Sequence, residues 1–179
     1  MFREIIWRII YGGGIIFDLT KWLILVVVAF LLVNSFLISL YIVDGWSMDP
    51  SLADKEVILW NKNSYSKHIP ERGDVIVLNY PGDIKKQYVK RIVGLPGEVI
   101  EIADGDVYIN SEKLAEGYLG DGILTSPDIY LTLKSGQYFV MGDNRSNSSD
   151  SRTFGAVERR FILGKSLRIV FPHFKLIPR

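Results

Sequence analysis

Between Trp22 and Val43 the chain reads WLILVVVAFLLVNSFLISLYIV, without one charged residue. A helix of that length reaches roughly 33 Å at about 1.5 Å per residue, enough to cross a hydrocarbon core of about 30 Å. Asn34, Ser35 and Ser39 interrupt it, and backbone or neighbouring hydrogen bonds can satisfy each. A cleavable targeting segment has a shorter apolar core, about 7–15 residues, followed by small residues. Here the run ends instead in bulky Tyr41-Ile42-Val43. The sequence therefore predicts an N-terminal segment over 1–21, one retained transmembrane helix over 22–43 and a separate domain over 44–179. Arg3, Arg8 and Lys21 precede the span, whereas Asp44, Asp49 and Asp54 follow it. The basic flank places the N-terminus in the cytoplasm and the domain outside a plasma or inner membrane. Residues 2–10, FREIIWRII, are expected on the inner face, with Gly12-Gly13-Gly14 as a break.

Beyond residue 50 the apolar pattern changes. EVILW (56–60), DVIVLNY (74–80), QYVKRIV (87–93), EVIEI (98–102), DVYIN (106–110), IYLTL (129–133), QYFVM (137–141) and LRIVF (167–171) read as strands. IPERGD, YPGD, GLPGE, ADGD and KSGQ punctuate them as turns, with Asp104-Gly105 as a tight hairpin. No sustained helical period interrupts the series. The expected class is all-β: a coiled antiparallel, barrel-like sheet domain behind one N-terminal helix. A net charge of +1 offers no basic field for nucleic acid.

Three stretches could carry chemistry. GWSMDPSL, residues 45–52, puts Ser47 directly behind the apolar run. A serine hydroxyl attacks only when a base removes its proton. Gly45 allows the backbone to approach a ligand closely, and Pro50 fixes the following turn. An ordinary polar exit from the membrane would also read this way. In QYVKRIV, a strand places Tyr88, Lys90 and Ile92 on one face and Val89, Arg91 and Val93 on the other. An exposed lysine, with pKa ~10.4, is neutral in about one molecule in 2,500 at pH 7. Burial between apolar neighbours lowers that pKa by up to several units and makes the amine a usable base. A lysine lying along a strand edge is the plain alternative. MGDNRSNSSDSR, residues 141–152, gathers Asp143, Asn144, Arg145, Ser148, Asp150 and Arg152, either to orient an amine or as a polar turn.

Other chemistries have fewer residues to draw on. There is no cysteine, so disulfides, thiolate metal sites and cysteine nucleophiles are excluded. His68 and His173 are the only imidazoles, and neither stands among orienting partners. A Ser-His-Asp triad is assembled in space, so spacing leaves it open. No metal and no cofactor are expected.

Ser47-Met48-Asp49-Pro50-Ser51-Leu52, Arg72-Gly73-Asp74-Val75, Tyr88 through Gly97 (YVKRIVGLPG), and Gly142-Asp143-Asn144-Arg145 with Asn147-Ser148 and Asp150-Ser151-Arg152 occur in this order behind the apolar run. In these boxes the chain resembles the bacterial type I signal peptidases (leader peptidases), membrane-anchored Ser-Lys endopeptidases. The resemblance implies Ser47 as nucleophile and Lys90 as general base, with Ser148 hydrogen-bonding the lysine amine. It implies ion pairs Asp150–Arg152 and Arg91–Asp143, and Met48 lining the pocket and covering Lys90. Tyr41, Val43, Ile58, Val77 and Val89 match the walls of pockets for small, Ala-like side chains. Some members carry a serine two residues before the nucleophile as an oxyanion donor, where this chain has Gly45.

The implied activity is removal of N-terminal signal peptides from exported preproteins, cutting after small residues. The expected partners are preprotein signal peptides, the bilayer and the protein export machinery. Trp46 and Trp60 would serve as interfacial aromatics. Two other readings are a self-cleaving Ser-Lys protease resembling the SOS-response repressors and a non-catalytic tethered β domain that binds signal peptides or partners. The first needs a DNA-binding region for which the chain has no spare length. A protein of the second kind is expected to lose Ser47 or Lys90, and both are present.

Overall fold

The structure, a computed structural model, describes residues 18–32, 38–120 and 122–178. They fall into two compact units, divided between Leu37 and Ile38. In the first, residues 18–32 form helix α1, with its large apolar side chains, from Leu19 to Leu32, exposed all round. Among the described residues no helix is long and apolar enough to cross a membrane. The expected inner-face segment over 2–10 lies outside the described residues.

The single helix expected over 22–43 is corrected here. Its last part, Ile38–Ile42, is strand β1, paired antiparallel with β2 (Val57–Asn61), Tyr41 opposite Ile58. A charge-free run cannot by its hydrophobicity distinguish a helix from a strand. ISLYI is paired along its whole length, and that pairing decides it. The second unit therefore begins at Ile38 rather than at Asp44.

That unit is predominantly β. The remaining strands are β3 (Val75–Tyr80), β4 (Asp83–Gly94), β5 (Val99–Ala103), β6 (Asp106–Ile109), β7 (Glu112–Lys113), β8 (Ile129–Thr132), β9 (Gln137–Met141), β10 (Val157–Glu158), β11 (Ile162–Phe171) and β12 (Lys175–Leu176). The larger sheet runs β1-β2-β11-β3-β4-β9-β10, with β12 added to β11, and the smaller runs β7-β6-β5-β8. Every pair is antiparallel. The larger sheet is an open path whose β11 slips register between Ser166 and Arg168 and again between Ile169 and Phe171. Such bulges bend a strand and raise its twist. The Asp104-Gly105 hairpin is present, with Ala103 opposite Asp106.

Three apolar clusters hold the unit together. One joins Val43, Met48, Leu52, Ile58, Trp60, Val75, Val77, Val89 and Ile169; a second includes Ile76, Leu78, Ile92 and Val140; the third lies between the sheets around Ile100, Phe139 and Met141. Trp60 is thus a core residue, 6% exposed, and not the interfacial aromatic expected, whereas Trp46 is 56% exposed. Trp60 belongs to a strand flanked by β1 and β11, which gives its ring protein on both sides.

Candidate active site

Ser47 stands in a turn that closes where β1 leaves the sheet. Asp49 N–H donates to the Trp46 carbonyl (3.2 Å) and Leu52 N–H to that of Met48 (2.8 Å). Met48 and Leu52 are fully buried and pin the turn to the core, while Ser47 just ahead of them stays half-buried. From the other side, Asn144 N–H donates to the Ser47 carbonyl (3.1 Å) and Asn144 Nδ2 to that of Trp46 (3.0 Å). The Ser47 turn and the loop after β9 are thereby tied together by two hydrogen bonds.

Lys90 comes from the middle of β4, opposite Ile76 of β3 and on the same sheet face as Tyr88 and Ile92. It is only 3% exposed. Its Nζ donates to Ser47 Oγ at 2.6 Å. Burial pushes its pKa down to about 8; the Asp150 and Asp143 charges work against that, and Arg152 assists it. At pH 7 about one molecule in ten then carries the free amine, some two hundred times the share of an exposed lysine. In that state the same contact reverses, the hydroxyl donating to nitrogen.

Two buried ion pairs involve the residue after Lys90 and the loop after β9. Arg91 donates from Nε and Nη2 to Asp143 Oδ1 (2.8 Å) and Oδ2 (2.7 Å), with neither side chain more than 1% exposed. Arg152 donates from Nε and Nη2 to Asp150 Oδ1 (2.9 Å) and Oδ2 (2.8 Å). Burial raises the Asp150 carboxyl, but Arg152 and the Gly142 N–H (3.0 Å) together hold it below the usual carboxylate range. Asp150 also caps the short helix α2, Ser151–Phe154, by accepting from Arg152 N–H.

Ser148 reaches the site but does not make its expected contact. Its Oγ is buried near Asp150, which it helps keep ionised, yet it forms no well-aligned hydrogen bond, to Lys90 or to any other group. Lys90 Nζ is turned to Ser47 instead. The neighbouring Gly142 packs so tightly that an added Cβ would lie 2.2 Å from the Ser47 carbonyl oxygen and 2.3 Å from Ser148 Oγ. Because the first of these is backbone, the Ser47 turn would have to move. Displacements near 1 Å at a reacting centre cost about 100-fold in rate. Gly142→Ala is therefore expected to lower kcat by about that factor, beyond any loss of folded protein in a melting curve.

Gly45 has φ +96°, a backbone region that favours glycine, so serine is strained there although nothing lies within 4 Å of its Cβ position. Its N–H is engaged by Asp54 Oδ1 (2.7 Å), whose carboxyl is lowered as a result, and is not offered to an oxyanion.

The five pocket positions converge. Val43, Ile58, Val77 and Val89 are buried in one cluster with Met48, and half-buried Tyr41 packs on it. Val77 faces Val89 across β3 and β4. The Tyr41 hydroxyl donates to the Gln87 carbonyl (2.9 Å), tying edge strand β1 to β4.

Several participants had no assigned role in the sequence reading. Asn144 and Ser51 lie inside the family-like stretches, where their residue types are the only signal. Arg145 pairs with Glu116 and donates to Thr125 Oγ1 (2.6 Å), and the Tyr118 ring lies 3.9 Å from the Arg91 guanidinium. Glu116, Tyr118 and Thr125 belong to an irregular segment remote in sequence, without a pattern that could announce them. His68 lines a cavity with Tyr65 and Glu71, away from Ser47. Among the described residues no cluster suits a metal ion.

The pattern of the family described as signal peptidase, peptidase S26, matches residues 16–171. Signal peptidase I of Bacillus amyloliquefaciens is 40% identical over 164 residues, covering 85% of this chain and 83% of that protein. Signal peptidase I S of Bacillus subtilis (strain 168) is 39% identical over 170 residues, covering 88% and 90%. A crystal structure of a signal peptidase I from Enterococcus faecalis aligns at 34% identity over 55% of this chain and 97% of that chain, with a TM-score of 0.49.

Proposed function

The chain belongs to the signal peptidase family, peptidase S26, and on that premise we propose that it removes signal peptides from preproteins by a Ser47–Lys90 dyad while tethered to a membrane. The observation that carries this reading is the 2.6 Å contact between Ser47 Oγ and a buried Lys90 Nζ.

Neutral Lys90 takes the Ser47 proton as Oγ attacks the scissile carbonyl. The ester acyl-enzyme forms on Ser47, Lys90 returns the proton to the leaving amine, and the mature protein departs. Lys90 then deprotonates a water that hydrolyses the ester and releases the signal peptide. The Ser47 N–H, which makes no hydrogen bond in the described structure, donates to the oxyanion. Ser148 Oγ is buried without a good partner, and in this reading it accepts from the lysine amine once Ser47 is acylated. Met48 and the Tyr41–Val89 cluster form a shallow wall. In this reading the wall, with Val43 and Val89 themselves buried, takes small side chains before the cut, since overfilling a shallow pocket is costly.

Helix α1 supports the tether. Apolar side chains exposed all round suit an apolar surrounding. The uncharged run continues beyond it in the sequence to Val43, and with Arg3 and Arg8 ahead of it this supports an anchor whose N-terminus is in the cytoplasm. Ser47 then works where a signal peptide's cleavage site emerges.

Cleavage of a preprotein by the full chain in detergent tests the reading. Because only the free amine is a base, kcat/KM is expected to rise with pH through a limb near 8 and to level off above it. A limb near pH 10 means a hydrated lysine, and absence of cleavage at every pH refutes the dyad.

A further inference from the structure

The family's pattern ends at residue 171, yet the chain continues and folds back. Strand β12 pairs with Arg168 and Ile169 of β11, and the next residue, Ile177, packs on the cluster that holds Met48. Leu176, Ile177 and Pro178 line a cavity of about 340 Å³ together with Gly73, Asp74 and Val75.

The contact beyond Ile177 reaches furthest. Arg91 Nη1 donates to the Pro178 carbonyl at 2.8 Å. A guanidinium has five N–H donors in a fixed fork. In Arg91 they meet five acceptors: Asp143 Oδ1 and Oδ2, the Gly73 carbonyl (2.9 Å), Ser51 Oγ (3.3 Å) and the Pro178 carbonyl. The group is wholly buried, so a lost acceptor is not simply replaced by bulk water. Three of the five, on two residues, lead to Ser47. Ser51 belongs to the Ser47 turn, and Asp143 precedes Asn144, whose N–H holds the Ser47 carbonyl.

We infer that the tail 175–178 is a positioning element of the dyad: by accepting from Arg91, the Pro178 carbonyl fixes the guanidinium that holds Ser51 and Asp143, and through them the Ser47 turn. This rests on the Ser47–Lys90 reading of the site. Without the tail the fork has a spare N–H and room to rotate, and the loop over Ser47 slackens.

The test compares the full chain with deletions of residue 179, of 178–179 and of 175–179, in detergent, by preprotein cleavage and by hydrogen exchange at Asn144 N–H. Deleting 179 keeps the Pro178 carbonyl, and every quantity is expected to stay within about two-fold. Deleting 178–179 is expected to lower kcat about 10-fold with KM within two-fold, to move the rising pH limb upward as water reaches Lys90, and to cut Asn144 protection about 10-fold. Deleting 175–179 enlarges all three effects. Parent kcat, pH limb and protection in the 178–179 deletion overturn the inference. So does a kcat that falls only with the folded fraction while limb and protection stay put. If the parent itself does not cleave, the signal-peptidase reading fails, while Asn144 exchange still decides the tail: lost protection upholds the link and unchanged protection ends it.

Discussion

Replacing Lys90 by methionine is expected to reduce preprotein cleavage at least about a thousand-fold and, at the same time, to make the folded chain more stable. Ser47→Ala is expected to lose as much activity without the gain in stability. Both losses follow from one geometry, since Ser47 Oγ and Lys90 Nζ lie 2.6 Å apart and act as a unit in the proposed dyad. The stability gain follows from burial. Lys90 holds its proton with a pKa of about 8 in the folded chain against 10.5 when free. The unfolded chain therefore binds more protons between those values, and the parent gains stability as pH rises from about 8 to 10.5. The burial penalty is complete below pH 8, amounts to about 3 kcal/mol, and is gone near the upper value. Lys90→Met removes it, so the two chains should differ in urea unfolding at pH 7 and converge near pH 10.5. A variant that keeps the parent's activity, or equals its stability at pH 7, contradicts the buried-amine account.

Asp143→Asn is the second large effect expected, and it falls on stability first. The substitution keeps the shape but leaves the Arg91 guanidinium, 0% exposed, without its counter-charge. Breaking a buried pair from one side costs about 3–5 kcal/mol, because the orphaned ion stays desolvated. A domain with a total stability of about 5–15 kcal/mol feels this strongly. Urea midpoints report the loss. The Arg91→Met, Asp143→Leu double variant should recover part of it, as both charges then leave together. Cleavage should stay low in the double variant, because the loop over Ser47 has lost its clamp. Equal midpoints for Asp143→Asn and parent are incompatible with a closed, dry pair.

Both expectations draw on features that were unequally visible in the sequence. The strand over Lys90 was legible: alternation in QYVKRIV put Tyr88, Lys90 and Ile92 on one face, and the register opposite Ile76 agrees. The Asp104-Gly105 hairpin and the all-β class followed from turn residues and β-branched runs in the same way. Local patterns report such features because backbone geometry repeats every two residues. The helix expected over 22–43 went too far because ISLYI has no charge to mark its start as a strand, and only pairing with β2 decides its form. Trp60 was assigned to the interface by residue type and lies in the core, for its flanking strands come from distant parts of the chain.

The amino-acid order by itself determined which candidates exist: a serine in a short turn, a lysine between apolar neighbours, no cysteine and two histidines without evident partners in sequence. Folding alone decided that this serine and lysine meet, that the amine is dry, and that Arg91 gathers acceptors from Ser51 to Pro178. Desolvation and a five-way hydrogen-bond fork are properties of surroundings. Those surroundings are built by segments as far apart as the first strand and the last few residues.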